Sequence, residues 1–562
     1  MKIKYFIAAT LAAITFSSCS DMFDDGSNRY VYNPELNEKV DSMFYINGIL
    51  KGVQQAIDQN VLVNELRGAL VSPTSHASTD LQRLAAFDYA DGNKYDSAYV
   101  YYRIINNCNY YVAHRDTTLA TGSSLVAMKE YAEAKAIRAW AYLQLARNYG
   151  NVPFYTNPLT DISSVEGAAN LEKKDLNGIV AALAPDLEQY VNLPVPSWKE
   201  FDLGMSDAGE QKKVTTSQMM IPVRLILADL YLESGNYAKA AEHYFNYLKH
   251  NKTFLRSYLA DWANYPTYSD LPTSMRNGQS WFYSHGDWST TYSRDAETIT
   301  FVAMATNKLR GEITALPGLF GYNYYTAADG YRYNVEPALV ASDSYLALSN
   351  RVGSGKNAVY AYASVGDMRY HSSYNRVKSD KKKDLVNIIM KYENANIPLY
   401  RTSGVYLKLA EAINRMGHPD VAFALLKDGW NHKLEQDTTY MTQEGIEFLK
   451  TTVPFLTDEN RVVFNDEDES REYSIGSQPL HARGAGMTQG NQSLYKYRTE
   501  IDKKLAELGK SYPVNATASD SLKIEQDAVE DLLCDEMALE LAFEGSRFSD
   551  LCRIAPSRAL SS

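Results

Sequence analysis

The sequence predicts a mostly α-helical protein, a tetratricopeptide-like helical superhelix scaffold with a loop-rich, irregular region inserted into it. Three observations predict this fold class. Long segments repeat their apolar residues at intervals of three and four, the period of an amphipathic helix. Two of these segments look like copies of one helix–turn–helix design. Between them, over about 253–335, the helical period is lost and aromatic residues cluster with Gly, Ser, Asn and Asp.

The chain begins MKIKYFIAATLAAITFSSC, with two lysines, an apolar run from Tyr5 to Phe16 and small residues before Cys19. That is the layout of a secretory signal over residues 1–18. The run is too short to span a bilayer, which takes about 20 residues. Ser17-Ser18-Cys19 looks like a bacterial lipobox in which Cys19 is lipidated, with Phe16 standing where Leu is usual. The alternative is an ordinary cleaved signal followed by a polar linker. Residues 19–40, with Asp21, Asp24, Asp25, Gly26 and Pro34, form an acidic tether, and one folded domain is expected over 41–562.

Tyr131 to Tyr149 carries the helical period and ends at Gly150, with Pro153 just beyond, the usual punctuation of a helix stop. In LADLYLESGNYAKAAEHYFNYL, Ala228 is followed twelve places on by Ala240 and sixteen on by Tyr244. In LAEAINRMGHPDVAFALL, Ala410 is followed at the same offsets by Ala422 and Leu426. Small residues at matched positions let two antiparallel helices approach closely, and Gly235 and Gly417 end the first helix of each pair. Tyr101 to His114 and the helix from Tyr131 supply further, more degenerate units.

A net charge of -12 argues against nucleic acid as a partner, because phosphate binding needs clustered Lys and Arg. The chain has 43 Tyr, whose flat apolar rings and polar tips suit half-wet surfaces, although packing between helices is the commoner role of each. Beyond Cys19 the cysteines are Cys108, Cys534 and Cys552; an odd number without zinc spacing predicts buried thiols rather than a disulfide framework or a metal site. No HExxH, GxSxG or Walker A motif is present, and no cofactor is implied. The acidic run Asn465 to Glu469 lacks the glycine and terminal glutamate of a calcium loop and reads as solvated.

Near the C-terminus, ELAFEGSRFSDLCRI interrupts a helical pattern with a glycine and follows it with Arg547, Asp550 and Arg553. Glu536, Glu540 and Glu544 are four apart and should share one helix face, with Leu539, Ala542 and Phe543 facing inward. Gly545 is expected to take the positive φ that ends the helix, and Arg547 and Arg553 to pair with carboxylates of the turn. Paired carboxylates beside an arginine are also acid–base equipment, but structural ion-pair networks look the same in sequence.

Four stretches together resemble the SusD/RagB family of Bacteroidetes outer-membrane lipoproteins. They are NELRGALVSPT (Asn64 to Thr74, with Ala69 where an Asp is common), AEAKAIRAWAYLQLARNYGNVPF (Ala132 to Phe154), VYLKLAEAINRMGHPDVAFALL (Val405 to Leu426) and DEMALELAFEGSRFSDLCRI (Asp535 to Ile554). The resemblance implies a SusD-like fold in which Glu540, Glu544, Gly545, Arg547, Asp550 and Arg553 form a structural lock. It implies a non-enzymatic lipoprotein, anchored through Cys19 to the outer membrane and facing the cell exterior, with Asp21, Asp24 and Asp25 acting as the export signal. Such a protein captures a glycan and passes it to a SusC-like TonB-dependent transporter. After Arg553 only IAPSRALSS remains, shorter than the segment such proteins usually carry, which implies a truncation or a loss in this branch.

Glycan capture needs aromatic faces for pyranose rings and polar side chains for hydroxyls. By composition, the expected ligand-binding residues are Trp281, Tyr283, Trp288, Tyr292, Tyr324 and Tyr325 in the aromatic loops, with Thr79, Asp80 and Gln82 as weaker polar candidates from the loop after His76. Loop packing is the alternative role of each. Three rival functions stay open: a peptide-binding lid of a peptide importer, a structural lid with negligible affinity, and a glycoside hydrolase. The last would need two acids, for example Asp287 and Asp295, about 5–10 Å apart across a cleft.

Overall fold

The computed structural model describes residues 36–39, 41–88, 92–160, 167, 170–198, 200–205, 211–251, 298–305, 312–321, 325–326, 332–333, 335–351, 367, 374–378, 385–392, 396–428, 441–451, 480–481 and 495–559. The expected signal segment, Cys19, nearly all of the expected tether, the acidic run 465–469 and most of the loop-rich stretch lie outside them. The helices are α1 (Asp41–Arg67), α2 (Thr79–Ala85), α3 (Tyr99–His114), α4 (Met128–Tyr149), α5 (Leu176–Leu187), α6 (Val223–Glu233), α7 (Tyr237–Asn251), α8 (Leu316–Leu319), α9 (Asp343–Arg351), α10 (Thr402–Arg415), α11 (Pro419–Asp428), α12 (Gln443–Thr451), α13 (Tyr497–Glu507), α14 (Ala518–Glu540) and α15 (Arg547–Ala559). The described strands form seven two-stranded antiparallel sheets. The protein is therefore mostly helical, as its periodicity predicts.

α4 is the central helix. It is buried without a break from Ala132 to Ala146 and packs against α1, α3, α5 and α6. A helix enclosed on all sides must have short side chains where neighbours cross closely, and Ala132, Ala134, Ala136, Ala139 and Ala141 meet that need. Three of its buried polar residues have partners in neighbouring segments: Lys135 donates to Asp186 at 2.8 Å, Arg138 to the Asn109 side-chain oxygen at 3.0 Å, and Glu133 accepts the Ile221 N–H at 2.7 Å. Gly150 ends the helix at φ +69°.

The two matched segments form the predicted pairs. α6 and α7 meet at Gly235 (φ +79°), and α10 and α11 at Gly417 (φ +97°), backbone conformations that a Cβ would penalise. Ala228, Ala240, Tyr244, Ala410, Ala422 and Leu426 are all buried. α7 packs on α10, so the second pair stacks on the first, and α14 covers α10 and α11. The strand Asn396–Arg401 pairs with Thr298–Ala303 and runs straight into α10. Tyr101, Tyr111, Tyr142, Tyr244, Tyr345, Tyr392 and Tyr406 are fully buried, so a good part of the tyrosine content is core.

α15 closes the molecule by returning to α1. Gly68 allows this approach, since a Cβ there would lie 2.6 Å from Cγ of Arg547. α14 ends at Glu540, so Glu544 does not share a helix face with Glu536 and Glu540 as the spacing predicts. The chain turns instead through Phe543 (φ +69°) and Gly545 (φ +85°), and the Glu65 carboxylate accepts the N–H groups of both residues, at 3.1 and 2.7 Å. Asn64 accepts the N–H and hydroxyl of Ser549 at 3.1 and 2.6 Å. Glu540 and Glu544 are paired with Arg401, and Glu544 also with Lys391.

Arg553 is clamped in the core. Its Nε and Nη2 donate to the two oxygens of Glu411 at 2.8 and 2.7 Å, Nη2 also reaches Asp550 at 2.9 Å, and Nη1 reaches Glu233 at 3.2 Å. Arg547, expected to pair with a carboxylate, donates instead to the Cys534 carbonyl at 2.8 Å and its sulfur at 3.3 Å. Cys552 is also a correction: it is exposed, whereas Cys108 and Cys534 are buried. Ser549, Asp550 and Arg553 occupy the inward face of α15, so the helical period turns Cys552 outward.

Two predictions follow from this core. Arg553→Met takes the shared cation from Glu411 and Glu233, leaving them only Arg415 and Arg147, and is expected to cost about 3 kcal/mol in urea unfolding, part of which Glu411→Leu in the same chain restores. Burial pushes the Glu133 carboxyl up from 4.5 to about 8, against one backbone hydrogen bond. The folded state thus binds this proton more tightly than the unfolded chain does, so the associated stability is complete below the unfolded value and is lost as pH rises through about 8. Glu133→Gln keeps an acceptor for Ile221, and its urea midpoints at about pH 5 and about pH 9 should lie closer together than those of the parent.

Candidate ligand-binding region

The chain leaves α1 through Gly68 and Ala69 and enters the strand Val71–Pro73, which pairs antiparallel with Leu339–Ala341 in the register Val71↔Ala341 and Pro73↔Leu339. The pairing is extended by side chains and turn bonds. Thr74 donates its N–H to Ala338 at 2.9 Å and its hydroxyl to Pro337 at 2.7 Å, and the Ser342 hydroxyl donates to the Ala69 carbonyl at 2.6 Å. The stretch after Pro73 is therefore fastened beside residues 335–338, which directly follow the two-residue strands Tyr325–Thr326 and Arg332–Tyr333 of the aromatic-rich loop.

Ser78 caps α2 by accepting the Leu81 N–H. Leu81 and Leu84 point into the core, and the helical period then leaves Thr79 and Gln82 exposed and Asp80 half-buried. Gln82 donates to the Ala77 carbonyl at 3.1 Å, and the Asp80 carbonyl accepts from Asn93 at 2.9 Å, which ties the following loop to the helix. Among the described residues no hydrogen bond engages the Asp80 carboxylate or the Thr79 hydroxyl, so both remain available to a ligand.

Thr79, Asp80 and Gln82, expected in a loop, lie together on this one short helix, which the Ser78 cap starts directly after His76 and Ala77. Tyr325 lies in the hairpin opposite Tyr333. Trp281, Tyr283, Trp288, Tyr292 and Tyr324, together with Asp287 and Asp295, lie outside the described residues.

Sequence reasoning missed Phe87. It is 46% exposed and ends α2 in a Schellman turn, with its own N–H on Leu84 at 3.3 Å and the Asp88 N–H on Arg83 at 2.9 Å. Glycine normally fills that position because φ is positive; here Phe87 holds φ +56°. Its ring packs on Phe548 of α15 with centroids 5.9 Å apart, and Tyr99 stands 66% exposed at the start of α3. The only sequence signal for Phe87 was a helix that stops without a glycine. Left-handed backbone costs a residue with a Cβ about 1–2 kcal/mol. Phe87→Gly relieves that cost while Phe87→Ala keeps it, so the glycine variant is expected to be the more stable of the two by about 1 kcal/mol in thermal unfolding.

No family model matches this sequence, and no curated protein does. Solved structures do match. A SusD superfamily protein from Bacteroides thetaiotaomicron is 13% identical with a TM-score of 0.52, covering 94% of this chain and 94% of that one. A laminarin-binding SusD-like protein is 15% identical with a TM-score of 0.51, covering 94% and 93%. Surface glycan-binding protein A from Bacteroides fluxus is 14% identical with a TM-score of 0.50, covering 92% and 89%. At such identities the likeness is one of architecture, and it extends over nearly the whole of each chain. This mostly helical, tetratricopeptide-like chain therefore has the fold of the SusD superfamily.

Proposed function

We propose that this chain is a SusD/RagB-type cell-surface lipoprotein, anchored at Cys19, that binds an extracellular glycan without chemically altering it. In this reading it delivers the glycan to a SusC-like TonB-dependent transporter in the outer membrane. The observation that carries the reading is the fold, shared over nearly the full length with proteins described as laminarin-binding and as surface glycan-binding. The region around α2 supports it, because an exposed aromatic ring and unengaged polar groups stand together beside the strand that follows the aromatic loop. Stacking on sugar faces and hydrogen bonding to hydroxyls need nothing more. None of the described helices is long and apolar enough to cross a membrane; in this reading the lipid on Cys19 supplies the attachment.

Affinity gels containing host and plant polysaccharides, run on protein beginning at Ser20 beside a peptide-binding panel, test this function. One glycan class should retard the protein. Trp281→Ala or Trp288→Ala should weaken that binding by on the order of 2 kcal/mol, roughly thirtyfold in Kd, as loss of an aromatic anchor does. Peptide binding without glycan retardation would overturn the glycan reading in favour of a peptide importer's lid.

A further inference from the structure

A second region has the form of a ligand site and shares no residue with the loop region around α2. The α10–α11 turn, the N-terminal ends of α12 and α13, and the face of α14 enclose a cavity of about 660 Å³. This lies within the roughly 300–1,000 Å³ range of small-molecule sites. Most of its lining side chains end in a charged or polar group, and they stand among apolar surface of comparable extent.

The acids deepest in the wall are already engaged. Asp420, which is buried, accepts the N–H and hydroxyl of Thr442 at 2.8 and 2.9 Å and the Val421 N–H at 2.9 Å. Glu525 accepts the Tyr497 hydroxyl at 2.8 Å and Arg498 at 2.7 Å. Those carboxylates hold the walls in place and have little left for a ligand. Lys496 and Thr499 also line the space, both exposed, and among the described residues no ion pair holds Lys496. Glu444 faces the same space as an exposed acceptor. The His418 ring lies flat on Phe448 with centroids 3.9 Å apart and gives that side a planar surface.

We propose that this cavity binds the acidic unit of a carboxylate-bearing saccharide, with Lys496 on the carboxylate, Thr499 and Glu444 on ring hydroxyls, and the His418 ring beside a pyranose face. An ammonium that no described residue pairs selects an anion. The hydroxyl donor and carboxylate acceptor beside it select a ligand that offers both acceptors and donors, which a plain inorganic anion does not. The site goes beyond the glycan-capture reading and does not depend on the aromatic loops.

Calorimetric titration with digalacturonate, and with neutral cellobiose as its counterpart, tests the assignment. The parent protein should bind digalacturonate, and added salt should weaken the binding. Lys496→Glu should lower the affinity tenfold or more, the scale of one lost charge-assisted hydrogen bond. Lys496→Arg should retain most of it, and Thr499→Val should weaken it without unfolding the chain, since both positions are exposed. Equal affinity in the parent and Lys496→Glu overturns the proposal, as does an absence of uronate binding. Uronate binding that Trp281→Ala abolishes and Lys496→Glu leaves intact would place the ligand at the loops, overturning the cavity assignment while the capture function stands.

Discussion

Arg553 lies inside the molecule with its guanidinium divided among Glu411, Glu233 and Asp550, and the two helical pairs meet where those carboxylates do. Glu233 ends the first helix of one pair, and Glu411 lies in the first helix of the next. Arg147 of α4 binds Glu233 as well, so four helices are referred to one cluster of charges. Each of these groups loses hydration on folding, and only their mutual arrangement compensates the loss. Sliding one pair along the other would separate a carboxylate from its cation in a medium that tolerates neither alone. Apolar packing would accept several stackings of alanine-rich helices; the charges accept few.

The same logic recurs at smaller scale. Asp229 of α6 is reached by the Tyr400 hydroxyl at 2.9 Å and by Lys408 at 2.8 Å, and Tyr244 also donates to it. Its neighbouring cations overcome a strong desolvation and hold the Asp229 carboxyl below the ordinary carboxylate range. Tyrosine serves this core well because its ring fills a gap between helices and its hydroxyl ends at a buried acid or carbonyl. The large tyrosine content is thus partly an internal wiring of the scaffold as well as a supply of exposed rings such as Tyr99.

What could be read from the sequence was what is local. The helix pairs announced themselves through alanines at fixed offsets and through Gly235 and Gly417, because small size and positive φ are properties of single residues. Gly545 was legible for the same reason. Its partners were not: Glu65, Arg401 and Lys391 come from distant segments, and nothing in their own neighbourhoods marks them as the other half of the lock. Spacing also misplaced Glu544 on a helix, since the carboxylate that draws the chain out of α14 belongs to α1. Around the candidate site, Thr79, Asp80 and Gln82 could be picked by composition, while Phe87 could not, because its interest lies in a backbone angle. The cavity beside Lys496 is assembled from several segments far apart in sequence, and each of them alone looks like an ordinary solvated helix end.

The bonds between Glu65 and the turn at Phe543 and Gly545, and between Asn64 and Ser549, bridge separations of 478, 480 and 485 residues. A chain made from its N-terminus must add all the residues between before the acceptors at the end of α1 meet their donors. The helical pairs between can form early, since their contacts are local and close quickly. The end of α1 must wait for the last helix. Until then Glu65 has only water to satisfy it, and burying it charged would carry a large penalty. One buried glutamate thus ties the end of α1 to the turn before α15, across almost all of the chain between them.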